Sequence, residues 1–403
     1  MSENKELPLS GYRILDLSRI LAGPFCTMIL GDQGAEVIKV ERPGVGDDTR
    51  TWGPPFSGGE SAYYLCCNRN KKSVVIDLKD AEGQGLVREL AKTSDVFVEN
   101  FTPGLTKRFG LDYDTLRELN PRLVYASISA YGQDGPYRDR PGYDMVLSAV
   151  GGLMYITGER DGNPCKVGVA ITDVLTGVYT SGAITSALLW RERSGRGQHL
   201  DLSLLDVQVS GLANIASNYL VAGQEAQRWG TAHESIVPYQ VFGTKDRPIA
   251  IAVANDKLWV NFCKVVGHED WLDDSRFESN PKRVENREAL LSVIHELFAT
   301  KTCDEWMETL VEASIPCGPV NDMAHLFADP QLEHRGMIAE VPHPTIDALK
   351  LAGIPIKYSE TPGAIRRHPP LLGEHTEEVL SDVLGLPPNR IEALRTQGTI
   401  ASR

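Results

Sequence analysis

The sequence predicts an α/β fold with a mainly parallel sheet, followed by a smaller α+β domain. Short β-branched runs recur through the first third of the chain, and stretches with helical spacing of apolar residues separate them, the pattern of βαβ units. Further on, the texture changes to strands around a turn and then to a series of helices. At 403 residues the chain exceeds what one hydrophobic core usually organises, so two domains are expected.

In order, Tyr12 to Leu17 reads as a strand, Thr27 to Gly34 as a short helix and Ala35 to Val40 as a second strand. Lys71 to Leu78 is a third strand, and Ala81 to Lys92 spaces its apolar residues for a helix. Val96 to Val98 and Leu123 to Ile128 follow as strands, with Thr115 to Asn120 helical between them. The C-terminal edge of such a sheet is the usual place for a nucleotide-like ligand. A helical pattern runs from Leu202 to Ala222, and Ser235 to Val253 reads as strands around Lys245-Asp246-Arg247-Pro248. Leu258 to Val266, Arg287 to Ala299 and Asp304 to Ala313 read as helices. Proline content rises from Pro342 to Pro370, and Thr376 to Leu384 and Asn389 to Thr396 close the chain as helices. The expected division is therefore 1–225, 226–330 and 331–403.

One stretch stands out chemically. Turn signals at Asp161-Gly162 and Asn163-Pro164 precede an apolar run, Val167 to Ile171, that fits a buried strand, and Val174 to Trp190 is long enough for a buried helix. Asp173 falls at the junction. It suits an N-cap, and it equally suits a nucleophilic carboxylate that backbone N–H groups and the helix dipole keep ionised.

Composition removes several classes. A net charge of −13 argues against a general nucleic-acid binder, and no apolar run is long enough to cross a bilayer. The seven cysteines have no disulfide-like spacing, so a reducing compartment is expected. The polar, acidic start resembles no targeting signal, which points to the cytoplasm, or to a mitochondrial matrix protein whose transit peptide is absent from this chain. The sequence contains no GxxxxGK[ST], GxGxxG after the first strand, HExxH or GxSxG motif, and the nine scattered histidines suggest no metal site. What remains is a recurrence of polar and basic positions near strand ends: Arg42, the Asn68 to Lys72 run, Lys79, Asn100-Phe101 and Lys107-Arg108. A ligand with several phosphates needs such a distribution.

Several longer segments carry a resemblance. They are L-S-G-Y-R-I-L-D-L-S-R-I-L-A-G-P near the start, A-E-V-I-K-V-E-R-P-G-V-G-D-D-T-R (Ala35 to Arg50), N-R-N-K-K-S, V-F-V-E-N-F-T-P-G (Val96 to Gly104) and I-T-D-V-L-T-G. S-G-R-G-Q-H-L-D (Ser194 to Asp201), I-P-C-G-P-V-N (Ile315 to Asn321) and P-P-L-L-G-E-H-T (Pro369 to Thr376) complete them. Together, and in this order, they resemble the class III coenzyme A transferases. Asp47 to Phe56 and Arg228 to Gln240 are similar to the succinate-hydroxymethylglutarate branch, which passes CoA between small dicarboxylic acids.

The resemblance implies an interlocked homodimer, with a large Rossmann-like domain built from both ends of the chain and a small domain between. It implies acyl-CoA and carboxylic acid as substrates, coenzyme A as co-substrate, no permanently bound cofactor, and neither metal nor ATP. It assigns the nucleophile to Asp173 and CoA contacts to Leu21, Ala22, Arg42, Lys79, Asn100, Phe101 and Arg108. Leu21 departs from the formyl-CoA branch, which has glutamine there, and the glycine-rich loop of that branch has no counterpart. Related racemases carry Gly-His-Asp where this chain reads Gly142-Tyr143-Asp144, so racemisation is disfavoured and Tyr143 and Asp144 are expected to line the substrate pocket. His233, Arg19 and Arg228 are the candidates for a second carboxylate of the acceptor.

Overall fold

The computed structural model describes residues 6–402. The chain divides into two units: one comprises 1–153, 166–224 and 331–403, the other 154–165 and 225–330.

The first unit is organised by a seven-stranded sheet. Its strands are β1 (Arg13–Asp16), β2 (Glu36–Glu41), β3 (Lys71–Ile76), β4 (Val96–Glu99), β5 (Val124–Ser129), β6 (His199–Ser203) and β7 (Ile400–Ala401), in spatial order β7-β3-β2-β1-β4-β5-β6. All neighbours are parallel except β7, which runs antiparallel to β3. The sheet grows outward from β1 in one direction through β3 and then resumes on the other side of β1 with β4. The C-terminal ends of β1 and β4 therefore flank the topological switch point, where a crevice opens in sheets of this kind.

Adjacent strand residues point to opposite faces, and both faces are covered. Leu15, Ile38, Val74, Phe97 and Tyr125 pack on one side with Val87 and Leu90 of helix 81–92 and with Val379, Leu380 and Leu394 of the C-terminal helices. Ile14, Val37, Val96, Val98, Val124 and Ala126 pack on the other side. There they meet α1 (Ala22–Asp32), α2 (Asp144–Val150) and α3 (Ile171–Ser194) through Cys26, Leu30, Leu147, Ile184 and Leu188. Burial on both faces explains why these strands read as near-continuous apolar runs. Helix α3 lies close against α1: a Cβ at Gly177 would stand 2.8 Å from the Ala22 carbonyl oxygen. A side chain there would push the two helices apart.

Two expected elements differ. Val167 to Ile171 forms no strand: 167–170 is irregular, Gly168 interrupts it, Val169 is 52% exposed, and Ile171 already begins α3. The expected helix 202–222 is divided into Leu204–Gly211 and Ala213–Ala222 after β6, with Ala213 at φ +47° at the break.

The second unit has a three-stranded antiparallel sheet, in the order 317–319, 249–252, 239–242. Helices Asp256–Val266, Arg287–Phe298 and Cys303–Glu312 accompany it. Its core is aromatic, with Trp259, Phe262, Trp271, Phe298 and Trp306 buried together. No helix among the described residues is long and apolar enough to cross a membrane.

Candidate active site

Asp173 is the third residue of α3 and lies beyond its N-cap, Ala170, whose side chain offers no acceptor. Capping comes from elsewhere. Asp144, the first residue of α2, accepts the Thr172 N–H at 2.8 Å and the Asp173 N–H at 3.2 Å through one carboxylate oxygen. A negative charge at a helix N-terminus is favourable, so Asp144 rather than Asp173 does the work expected of a cap. The buried Thr172 hydroxyl donates to Gln208 at 2.6 Å, which pins the same turn.

This arrangement corrects the expectation that Asp173 is held ionised. Burial, and then the nearby charge of Asp144, push its carboxyl up to about 7 from the ordinary 3.8. Desolvation and a like charge both disfavour the ionised form. At neutral pH the group is divided between its two forms, in the range where perturbed catalytic carboxyls are found.

The pocket at Asp173 opens at the switch point. Arg19, Ile20, Leu21 and Ala22 line it from beyond β1, Asn100, Phe101, Thr102 and Pro103 from beyond β4, and Arg140 to Tyr143 from the segment before α2. Arg19 and Phe101 also line a second groove of about 390 Å³, which runs along the C-terminal ends of β1 to β3 past Arg42, Val45, Asp77 and Lys79. A long ligand lying in this groove would bring one end to Asp173. Asp48 ties Arg19 (2.9 Å) to Arg42 (2.7 Å), holding two guanidiniums along the groove.

The structure thus brings Asp173, Leu21, Ala22, Asn100, Phe101 and Tyr143 to one pocket, with Asp144 bonded behind it and Arg42 and Lys79 in the adjoining groove. Arg108 is exposed at the end of helix 105–108, and that groove takes Leu105 and Phe109 rather than Arg108 from this segment. Asn100 also has a structural duty: its carboxamide accepts from Arg19 N–H at 2.9 Å and donates to Arg19 O at 2.8 Å. His233 lies in the second unit, where its Nδ1 accepts from Ser235 N–H at 3.0 Å and its carbonyl receives Arg287. Arg228, in the same unit, donates to Tyr155 O at 3.0 Å.

The Asn68 to Lys72 run is mostly inside the protein. Arg69 and Asn70 bind Asp32, Lys71 binds Asp16 and Asn68, and all of these are buried. Their charges are spent on the fold. Arg140 and Tyr63 were not singled out from the sequence. Arg140 stacks 3.6 Å over Tyr137 and lines the Asp173 pocket. Burial, and then the charge of Asp173, raise the Tyr63 hydroxyl well above its ordinary value, so that phenol stays protonated near the candidate nucleophile. Among the described residues, no group of three or more His, Cys, Asp or Glu side chains could hold a metal ion.

A carboxyl in a crevice at a sheet switch point, continuous with a groove carrying basic side chains, is the equipment of a covalent group-transfer enzyme working on a nucleotide-like substrate. Comparison with known proteins gives the family. The profile of CoA-transferase family III matches residues 9–376. The succinyl-CoA:glutarate CoA-transferase of Homo sapiens is 47% identical over 397 residues, covering 98% of this chain and 91% of the human protein. The succinate--glutarate CoA-transferase of Agrobacterium fabrum is 44% identical over 392 residues, covering 94% of this chain and 96% of its own. A crystal structure of a CAIB/BAIF family protein from Brucella suis superposes with a TM-score of 0.85 at 41% identity, covering 94% of this chain and all of that one. This chain belongs to CoA-transferase family III, and it is a CoA-transferase.

Proposed function

We propose that the enzyme moves coenzyme A from succinyl-CoA to glutarate or a closely similar dicarboxylic acid such as hydroxymethylglutarate, with Asp173 as the nucleophile. The observation that carries this reading is the position of Asp173 where the basic groove meets the switch-point pocket. The names of the human and Agrobacterium relatives support the choice of acids.

In the proposed sequence, the ionised Asp173 carboxylate attacks the thioester carbonyl of the donor. The C–S bond breaks, leaving an acyl-aspartyl anhydride and CoA thiolate. The thiolate attacks the aspartyl carbonyl and expels the donor acid, giving an aspartyl-CoA thioester. The acceptor carboxylate then attacks this thioester, expelling CoA thiolate and forming a second anhydride with Asp173, and the thiolate attacks the acceptor's acyl carbon, releasing the new acyl-CoA and the free Asp173 carboxylate. The thioester is conserved throughout, so no ATP is consumed.

Arg42 and Lys79 suit the phosphates of CoA, and Arg108 a portion reaching beyond the groove. Leu21 and Ala22 line the pocket at the start of α1, and their N–H groups are our choice of oxyanion donors. Arg19 and Arg140 both line the pocket, and Arg140 has no carboxylate partner among the described residues, so these two guanidiniums are the choice for the second carboxylate of the acid.

The assembly we propose is the interlocked homodimer. Leu220 is 79% and Val221 86% exposed at the end of helix 213–222, with Leu189, Met145 and Val150 each more than half exposed, apolar side chains that a second copy of the chain would cover. The seven unpaired thiols suit a reducing compartment such as the cytoplasm. The direct experiment is incubation with succinyl-CoA and glutarate followed by mass spectrometry: glutaryl-CoA and succinate are expected, and absence of any new CoA ester across a panel of small acids refutes the reading.

A further inference from the structure

The loop between β1 and α1 is tied down from Leu17 through Ile20. The Leu17 N–H donates to Val98 O at 2.8 Å, and the Ser18 N–H and hydroxyl both donate to Asp16. Asn100 grips Arg19 at both its backbone groups. The Ile20 N–H is shared between the two carboxylate oxygens of Asp47, at 3.2 and 3.3 Å. Ile20 has φ +73°, and it is the only β-branched residue in the left-handed region among the described residues. That conformation crowds the side chain against the backbone, so it persists only where the surroundings over-determine it.

Asp47 is what holds it. The Asp47 carboxylate also accepts from Lys39 Nζ at 2.8 Å and from the Thr49 N–H and hydroxyl at 3.0 and 2.8 Å. Its own N–H donates to Glu41 at 2.8 Å. Lys39 and Asp47 side chains are wholly buried; burial opposes the Asp47 charge, yet Lys39 and Thr49 hold the carboxyl down at about 2. Lys39 donates in addition to Ser18 O at 2.8 Å, so one ion pair grips the loop at two points. Immediately beyond, Leu21 and Ala22 line the Asp173 pocket, and α1 has no side chain capping its first turn.

We propose that Asp47 is a positioning residue for the transfer: by holding the Ile20 N–H it maintains the left-handed turn that aims the Leu21 and Ala22 N–H groups at the carbonyl under attack. This rests on the CoA-transfer reading above. With the Asp47 side-chain acceptor removed, Ile20 relaxes toward negative φ and those donors turn away, while the groove still holds CoA. Turnover falls and the KM for acyl-CoA does not.

The test is a double-mutant cycle in the full chain, run with whichever acyl-CoA and acid the wild type turns over; wild-type turnover of succinyl-CoA with glutarate judges the substrate reading separately. Asp47→Ala, which leaves the Ile20 N–H without its acceptor, is expected to lower kcat at least about tenfold with isoleucine at position 20, but less than about threefold in the Ile20→Gly background, because glycine enters the left-handed region without restraint. The KM for acyl-CoA stays within about threefold throughout. An equal loss of kcat in both backgrounds overturns the proposal. Where Asp47→Ala fails to fold, Ile20→Pro is compared with Ile20→Ala. Proline has no N–H and cannot adopt positive φ, so its kcat is expected at least about tenfold below that of the alanine variant, and equal kcat values overturn the proposal.

Discussion

Replacing Asp173 by asparagine keeps the shape of the side chain and removes only its ionisation. In the folded protein the carboxyl titrates at about 7, against 3.8 for an ordinary aspartate, and it is largely buried. Because the folded value is the higher one, the fold favours the protonated form. Below pH 3.8 both states bind the proton and the site contributes nothing against folding. As pH rises toward 7 the unfolded chain has already ionised while the folded one has not, and the penalty grows; beyond about 7 it is constant. Full ionisation then costs up to about 4 kcal/mol, an upper bound because the pocket is open to water. Asp173→Asn is therefore expected to melt at a higher temperature than wild type at pH 8, and with little difference at pH 4, while losing transfer activity by at least about a thousandfold. Differential scanning fluorimetry across this range, with a coupled transfer assay, reads both. A variant that is no more stable than wild type at pH 8 refutes the burial argument, and one that turns over normally refutes the nucleophile.

Three other outcomes follow from the same geometry. Asp144→Asn preserves an acceptor for the Thr172 and Asp173 N–H groups but removes a charge that raises Asp173, so the acidic limb of kcat/KM, expected near pH 7 in wild type, shifts to lower pH; an unmoved limb contradicts the coupling. Lys79→Ala and Arg42→Ala, both in the groove, each raise the KM for acyl-CoA about tenfold with kcat within about threefold, and equal KM values exclude them as phosphate contacts. Gly177→Val forces atoms against the Ala22 carbonyl and destabilises the α1–α3 contact by about 1–3 kcal/mol in urea unfolding.

The strands were readable because their chemistry is local. Ile14 and Leu15, or Val37 and Ile38, face opposite covered sides, and such runs announce a buried parallel strand wherever they occur. The beginning of α3 was not readable. Val167 to Ile171 is apolar enough for a strand, but Gly168 interrupts it and Val169 is half exposed. Asp173 stood out as the candidate nucleophile through the resemblance of its surroundings, whereas its raised carboxyl comes from burial in the folded pocket and then from Asp144 arriving from another helix, neither of which a local pattern announces. Asn100 stood out as a motif position, but its grip on both backbone groups of Arg19 exists only after β1 and β4 have paired. Ile20 is harder still: residue preference points away from the conformation it adopts, and only the buried pair of Lys39 and Asp47 accounts for it.

The most direct measurement is borohydride trapping. Wild-type enzyme incubated with succinyl-CoA in the absence of acceptor is treated with sodium borohydride, which reduces an aspartyl thioester to the alcohol, and the peptide spanning residues 167–191 is sequenced by mass spectrometry. The account predicts homoserine at position 173 and nowhere else, dependent on succinyl-CoA. An unmodified Asp173 in enzyme that is turning over, or homoserine at another aspartate, contradicts it.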